Sequence, residues 1–301
     1  MRGAVLALAL VAPPLAAQQV SDTAFRPVIA RPAHPAGRGP VVALDEAHHN
    51  FHTLDGRYAP FGALLTRDGY RVRPSRVPFT AGALDSVRLL VVANAIAAEN
   101  ETTWTAPIHP AFSDAEVAAV RRWVEGGGSL LLIADHMPFG GGAATLGRAF
   151  GFGLSDGFAV DSAEANLPDF SRAAGTLRAH PITDGRAPDE RVEVVRTFTG
   201  QAFTAPPGAE PLLVLPAGSV QLLPDTAWVF TPATRRAPAG GLLQGAVLRV
   251  GRGRVAVFGE AAMFSAQLAG PNRVPAGMNA PGAAGNVTLL RNLVRWLTET
   301  R

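Results

Sequence analysis

Residues 113–136 read SDAEVAAVRRWVEGGGSLLLIADH, and this stretch decides the fold. Ser113 followed three residues later by Glu116 is a capping-box pattern, which predicts the start of a helix. Residues 117–124 place three valines at helical spacing, and three glycines end the pattern. Residues 130–134 are then continuously apolar, as is typical of a strand buried on both faces. A helix followed by such a strand predicts a parallel sheet with helices on both faces, which is a three-layer α/β fold.

The same alternation extends outward in both directions. Strands are predicted at residues 41–44, 70–72 and 89–93, a helix over 58–68, a hairpin from 248–250 and 255–258, and a closing helix over 286–297. The runs 192–195, 212–215 and 227–230 are separated by proline and glycine, and they predict antiparallel strands. We therefore expect a single α/β domain over residues 40–301 with a β-rich insertion at about 160–245.

The amino-terminal residues are typical of an export signal. Residues 1–19 contain Met-Arg, an apolar run and the small residues Ala16 and Ala17, in the order of a secretory signal peptide. The apolar run is too short to span a bilayer. We expect an exported protein, periplasmic or extracellular, with no membrane span after cleavage; an uncleaved anchor is the alternative. Residues 20–39 lack periodicity and predict an extended lead-in.

Composition removes several classes of function. The 301 residues include no cysteine, and all 27 basic residues are arginine. The absence of lysine excludes a Walker A loop and Schiff-base chemistry, and the absence of cysteine excludes thiolate zinc sites and a cysteine nucleophile. The net charge is only +3 and the arginines are scattered, so we expect no nucleic-acid partner.

Polar residues follow four of the predicted strands of the sheet. Since ligands of open parallel sheets bind beyond the carboxyl ends of the strands, these residues are predicted to form one pocket for a small polar ligand. They are Asp45, Glu46, His48, His49 and His52 after the first strand, Asn94 after the third, Asp135 and His136 after the fourth, and Glu260 after the hairpin.

Three roles are predicted within this set. The catalytic candidates are Asp45, Glu260 and His136, the last as a general base. The ligand-binding candidates are Asp45, Glu46, His49, Asn94, Asp135, His136 and Glu260. The metal candidates are His48, His52 and Asp135, because i, i+4 histidines on a helix can meet one divalent ion. The cofactor is otherwise undefined. In the alternative interpretation Asp45 caps a turn and Glu260 caps residues 261–268.

Two further motifs give weaker indications. Residues 153–157 match the Gly-x-Ser-x-Gly pattern around Ser155, but a nucleophile elbow needs a strand before it and a helix after it, and the order here is reversed. Gly140, Gly141 and Gly142 follow the strand end; their amides could hold an anion, although a flexible turn is the favoured interpretation.

Residues 115–136 resemble class I glutamine amidotransferase-like domains, and most of all their nucleophile-free relatives, the trehalose-utilisation (ThuA-like) and GldG-type domains. His180-Pro-Ile-Thr-Asp-Gly185 resembles a segment of the ThuA-like group. Gly251–Val255 and Asn286 with residues 292–297 resemble the closing strand and helix of secreted uncharacterised members. The resemblance implies a flavodoxin-like sheet with a pocket at the former elbow. The glutaminase cysteine is replaced there by Asp135-His136, so glutaminase activity is excluded.

Three functions remain open from the sequence. The expected function is binding of a small polar ligand, with carbohydrate among the candidates, in the pocket of acids and histidines. The alternative is a metal-assisted hydrolase that uses the same cluster. In the third, an interaction domain, a partner or the chain itself would cover the polar edge. Enzymatic activity and oligomeric state stay undecided.

Overall fold

The central sheet is built from short apolar strands. The structure is a computed structural model that describes residues 19–161, 167 and 169–299, so the predicted signal peptide falls almost wholly outside the described residues. The strands are β1 (Val20–Ser21), β2 (Val41–Asp45), β3 (Arg71–Ser75), β4 (Leu89–Ala93), β5 (Ser129–Ile133), β6 (Gly153–Leu154), β7 (Phe158–Asp161), β8 (Phe170–Ser171), β9 (Val194–Val195), β10 (Phe203–Thr204), β11 (Glu210–Val214), β12 (Ser219–Leu223), β13 (Arg235–Pro238), β14 (Leu243–Val250), β15 (Gly253–Phe258), β16 (Ala266–Ala269) and β17 (Val274–Gly277). The helices are α1 (Ala59–Arg67), α2 (Ala81–Leu84), α3 (Asp114–Glu125), α4 (Phe139–Ala149), α5 (Pro181–Asp184) and α6 (Ala284–Thr298).

Five strands pair in parallel in the order β3-β2-β4-β5-β15. This order is that of a flavodoxin-like sheet, so the predicted fold class is confirmed. On the other side of β15 the sheet becomes antiparallel, because β14 forms the predicted hairpin with β15 and then pairs with β10 and β11. All carboxyl ends of the parallel strands therefore meet at one edge.

Helices cover both faces of the sheet. On one face α1 and α6 bury Leu64, Leu289 and Leu293 against the strands. On the other face α3 and α4 bury Val124 and Leu146. The strands β4 and β5 are completely buried between these layers, which explains why they are apolar on both sides.

The capping box that predicted α3 is present. The Glu116 backbone N–H donates to Ser113 Oγ at 3.4 Å, and the Ser113 backbone N–H donates to Glu116 Oε2 at 3.1 Å. The glycines that were interpreted as a turn, Gly140 to Gly142, instead lie in the first turns of α4. A Cβ on Gly142 would come within 2.5 Å of the Ala95 carbonyl oxygen, so glycine here allows the helix to approach the β4 edge closely.

The β-rich insertion differs from the prediction in one place that affects the site. Residues 227–230 form no strand, and Trp228 has a φ of +67°, which a regular strand does not allow. This segment, residues 225–234, is a loop between β12 and β13; we call it the Trp228 loop. Residues 261–268 likewise contain only a 3-10 turn, Ala262–Phe264, before β16.

A small second sheet has the order β1-β16-β17 and joins the start of the described chain to the two strands that precede α6. Val20 lies opposite Leu268, and Ser21 Oγ donates to the Gly56 carbonyl at 2.6 Å. The lead-in is therefore attached beside the carboxyl edge of the main sheet. Among the described residues, no helix is long and apolar enough to cross a bilayer.

We expect Leu131→Ala to lower the free energy of unfolding by about 2–5 kcal/mol, because Leu131 is fully buried in the central strand β5 and its loss leaves a cavity. Val77→Ala is the control, since Val77 is 53% exposed and its truncation should change stability by less than about 0.5 kcal/mol. Urea unfolding followed by circular dichroism measures both. Equal effects of the two substitutions would contradict the placement of β5 at the core.

Candidate functional site

Asn94 joins three segments at the carboxyl edge of the sheet. Its backbone N–H donates to the Ile133 carbonyl at 2.9 Å, and its carbonyl accepts from the Phe51 N–H at 3.0 Å. Its side-chain Oδ1 accepts from the Asp135 N–H at 2.9 Å. Asn94 has a φ of +50°, a region that asparagine adopts more readily than most residues. The ends of β4 and β5 are thus fixed next to the segment that follows β2.

A cavity of about 460 Å³ opens above Asn94, within the size range of small-molecule sites. Five aromatic residues contribute to its wall, together with polar residues from six parts of the chain. The lining residues are Gln19, Phe51, His52, Asn94, Trp104, Asp135, His136, Phe139, Phe198, Thr199, Trp228, Ala262, Gln267, Ala269, Gly270 and Ala276. We call this cavity the aromatic pocket.

His52 is the most unusual polar group in the aromatic pocket. Its side chain is only 4% exposed, and its Nδ1 is buried without a hydrogen-bond partner among the described residues. Burial, assisted by the charges of Arg57 and His136, lowers the pKa of His52 to about 3. The ring packs edge-on against Tyr58 at 4.6 Å between centroids. His52 is therefore a neutral imidazole with one unused hydrogen-bonding atom.

His136 is held in a defined orientation. Its Nδ1 lies 2.6 Å from the Met137 carbonyl, which can only accept, so Nδ1 carries a hydrogen. The ring stacks on Phe158 at 4.5 Å and is covered by Trp228 at 4.6 Å. In the neutral form of this tautomer, Nε2 keeps its lone pair and can accept a proton or a hydrogen bond.

Asp135 and Glu260 form a carboxyl pair at the base of the site. Asp135 Oδ1 accepts from the His136 N–H at 2.8 Å. Glu260 is fully buried, and its two oxygens accept from the N–H groups of Ala262 and Met263 at 2.9 and 2.7 Å. Burial and then the charge of Asp135 raise the pKa of Glu260 well above its ordinary value. Glu260 thus has the capping geometry of the alternative interpretation, whereas Asp135 reaches the pocket wall.

Asp45 and His48 lie outside the aromatic pocket lining. His48 Nδ1 is 2.9 Å from both carboxylate oxygens of Asp45, and its Nε2 is 2.8 Å from Glu116 Oε1 on α3. The ring packs between Phe79 and Phe112. Both ring nitrogens of His48 are therefore occupied, and the histidine connects the end of β2 to α3.

Glu46 and His49 also point elsewhere. Glu46 accepts from the Leu54 N–H at 2.8 Å and pairs with Arg76 at 3.0 Å. His49 is 42% exposed at its side chain and pairs with Glu101 at 2.9 Å. Of the predicted ligand-binding residues, the structure therefore brings Asn94, Asp135 and His136 to the pocket wall, joined by His52.

The proposed metal ligands do not converge. His48 faces Asp45 and Glu116, whereas His52 and Asp135 line the aromatic pocket. Across residues 19–161, 167 and 169–299, no group of three or more histidine, aspartate or glutamate side chains has the arrangement to hold a metal ion. The segment that carries both histidines is not helical, so the i, i+4 spacing does not bring their rings together.

The aromatic wall was not found from the sequence. Phe51 precedes His52 directly and Phe139 lies three residues after His136, so both could have been noticed beside the predicted polar residues. Trp104 lies in an irregular segment with no periodic signal, and Trp228 lies in the run 227–230 that the sequence predicted as a strand. Their segments are held together by backbone hydrogen bonds, including Ala227 N–H to the Trp104 carbonyl at 2.8 Å.

The Gly-x-Ser-x-Gly segment has no elbow geometry. Ser155 follows the two-residue edge strand β6, and β7 rather than a helix comes next. The Ser155 N–H donates to Gln201 Oε1 at 2.8 Å, and Gln201 Nε2 donates to the Ala134 and Asp135 carbonyls. The segment therefore supports the end of β5 through Gln201.

Comparison with known proteins adds information on the fold alone. No protein-family model and no curated protein matches the chain. Among solved structures, the mmIFT52 N-terminal domain aligns with a TM-score of 0.59 at 14% identity over 86% of this chain and 97% of that domain. A putative ThuA-like protein from Bacteroides uniformis has a TM-score of 0.43 at 12% identity over 90% of this chain and 94% of its own. Cytoplasmic protein STM1381 from Salmonella typhimurium has a TM-score of 0.45 at 14% identity, over 86% and 100% of the two chains. The structural neighbours thus include ThuA-like proteins.

The hydrogen bonds of His48 to Asp45 and Glu116 should make the stability of the protein depend on pH. Burial alone would lower the pKa of His48, but its hydrogen bonds to Asp45 and Glu116 and their charges outweigh burial and raise it. The stabilisation by protonated His48 is therefore fully present below about pH 6.5, the unfolded value, and is lost as pH rises through the folded pKa. We expect Glu116→Gln, which preserves the capping box, to lower the pKa of His48 measured by NMR titration.

Glu101→Gln serves as the matched control, because Glu101 pairs with His49 and not with His48. It should leave the His48 titration unchanged. An unaltered His48 pKa in Glu116→Gln would show that the contact between β2 and α3 is not made in solution.

Proposed function

We propose that this chain binds a small polar ligand, a carbohydrate ring, in the aromatic pocket, and that it belongs to an exported, nucleophile-free branch of the class I glutamine amidotransferase-like superfamily. The resemblance of residues 115–136 supports the superfamily, and the leader-like residues 1–19 support export to the periplasm or beyond. The chain has no cysteine, so it cannot perform the glutaminase reaction of the superfamily.

The unpartnered Nδ1 of His52 is the observation that carries this proposal. A buried polar atom without a hydrogen bond costs about 1–3 kcal/mol unless something pairs with it. His52 lines the aromatic pocket, so a ligand hydroxyl that reached Nδ1 would supply the missing partner. The lowered pKa keeps His52 neutral, and a neutral imidazole can donate to or accept from a hydroxyl.

The aromatic residues support a ring-shaped ligand. Phe51, Trp104 and Phe139 contact one another, with ring centroids 5.3 to 5.4 Å apart, and form one continuous apolar wall. Trp228 lies over His136 elsewhere in the lining. A sugar ring has apolar faces that stack on such surfaces and hydroxyls at its edge that reach Asn94 and Asp135.

A second candidate function is hydrolysis with His136 as the general base. The anchoring of His136 Nδ1 to the Met137 carbonyl favours it, because Nε2 is then the atom that would take a proton from water. Asp45 and Glu260 have structural contacts instead, so this version relies on His136 and Asp135. Release of nitrophenol from nitrophenyl glycosides that is lost in His136→Gln would support hydrolysis, and no release by the wild type would reject it.

We expect Trp228→Ala to weaken binding of a neutral hexose by roughly two- to tenfold, since one aromatic contact contributes about 0.5–1.5 kcal/mol. Isothermal titration calorimetry with glucose, galactose and mannose measures the change. Trp228 is 45% exposed, so the substitution should leave the fold intact.

Phe230→Ala is the control for this experiment. Phe230 lies in the same Trp228 loop and is 42% exposed, but it does not line the aromatic pocket. Its truncation should leave hexose affinity unchanged. Equal loss of affinity in both variants, or no binding of any hexose by the wild type, would argue against a sugar site at Trp228.

A further inference from the structure

We propose that the ligand of the aromatic pocket is an amino sugar whose ammonium group pairs with Asp135. This inference rests on the proposed function, because it assigns a charge to the carbohydrate that the pocket accepts. Its basis is the charge and the hydrogen-bonding capacity of the pocket lining, which are separate from the ring-stacking surface.

Among the described residues that line the pocket, Asp135 is the only carboxylate and none is an arginine. The whole sequence has no lysine, so no lysine of this chain can neutralise the group. Within the part of the chain that the structure describes, no salt bridge to Asp135 is found. A buried carboxylate without a cationic partner is unfavourable, and a cationic ligand removes that cost.

The carboxylate of Asp135 keeps free acceptor sites. Asp135 Oδ1 accepts from the His136 N–H, and Oδ2 has only a long contact of 3.4 Å with the Ala261 N–H. An ionised carboxylate has about four acceptor positions, so capacity remains for an ammonium group. Glu260 lies behind it, and the two oxygens of Glu260 are occupied by the N–H groups of Ala262 and Met263, so Glu260 supplies no positive charge to Asp135.

The aromatic wall suits the same charge. Ammonium groups are attracted to the faces of tryptophan and phenylalanine. Arg57 already lies over the Phe51 ring, 3.9 Å from its centroid, and it would repel a second cation there. We therefore assign the ammonium to the space near Asp135, with Trp104, Phe139 or Trp228 as the neighbouring ring face.

A sugar ring explains what a simple amine would leave unsatisfied. The buried Nδ1 of His52 needs a hydrogen-bond partner. The charged end of a quaternary amine has neither an N–H nor an O–H group, so it cannot supply one. Asn94 uses its Oδ1 for the Asp135 N–H, which leaves its amide N–H groups as donors for a hydroxyl oxygen. An amino sugar supplies the cation and the hydroxyls in one molecule.

The test compares probes that share a ring and differ in charge. Calorimetric titrations of the wild-type protein at pH 6 would use glucosamine, N-acetylglucosamine and glucose, with choline as a cation that lacks the ring. We expect glucosamine to bind at least about tenfold more tightly than glucose, with an affinity that falls as salt is added. Asp135→Asn, which keeps the acceptor for the His136 N–H, should abolish the preference.

Asp225→Asn is the matched control, since it removes an exposed negative charge from the Trp228 loop without altering the lining. It should retain the preference for glucosamine.

Binding of glucose as tight as or tighter than that of glucosamine, or tighter binding of choline, would overturn the amino-sugar assignment. Preference that survives in Asp135→Asn would overturn the role of Asp135. Binding of glucose alone leaves the carbohydrate proposal standing, whereas binding of none of the three sugars removes both proposals. The wild-type comparison decides the charge question even if Asp135→Asn fails to fold.

Discussion

The hydrogen bonds of Asn94 are the constraint on which the site depends. Parallel pairing brings the carboxyl ends of β4 and β5 side by side, but it does not fix the segments that leave those strands. Asn94 does so, because its backbone and side chain bond to Phe51, Ile133 and Asp135. The left-handed backbone at Asn94 turns the chain away from β4 at the point where these three segments meet. The sheet topology thus places the pocket at this edge, and the hydrogen bonds of Asn94 hold together the segments around it.

The polar residues of this edge divide into two groups with different physical roles. Asp45, Glu46, His48 and Glu260 have their hydrogen bonds satisfied by neighbouring helices and loops, and they stabilise the chain around the strand ends. His52 and Asp135 line the aromatic pocket, and His52 Nδ1 has no hydrogen-bond partner among the described residues. Unused capacity in a buried group is costly, so we infer that the second group is retained for a ligand.

The predicted elements correspond well to the structure where a single local rule acts. The capping box at Ser113 begins α3, and the apolar run before Asp135 is the central strand β5. These signals succeed because the cap and the uninterrupted apolar run are each formed by residues close in sequence. The prediction for residues 227–230 fails because the apolar side chains of Trp228 and its neighbours are used to cover a pocket and not to pack a strand.

The sequence predicted the position of the candidate site but not the directions of all its side chains. Strand order can be inferred from alternating helices and strands, and it correctly places Asn94 and Asp135 at one edge. The direction of each side chain beyond a strand depends on distant contacts, such as that of His48 with Glu116, 68 residues away in sequence. The meeting of Trp104 with the Trp228 loop likewise depends on pairing between segments that share no local pattern.

The four tryptophans of the chain provide the most direct test of ligand binding in the aromatic pocket. Trp104 and Trp228 line it, whereas Trp123 lies on α3 and Trp296 on α6. The measurement is the set of four indole N–H signals in two-dimensional NMR spectra during titration with glucosamine and with glucose. The account predicts that the signals of Trp104 and Trp228 shift in a saturable way with at least one of these sugars, while those of Trp123 and Trp296 stay in place. Saturable shifts confined to Trp123 and Trp296, or no shift of any signal with either sugar, would contradict it.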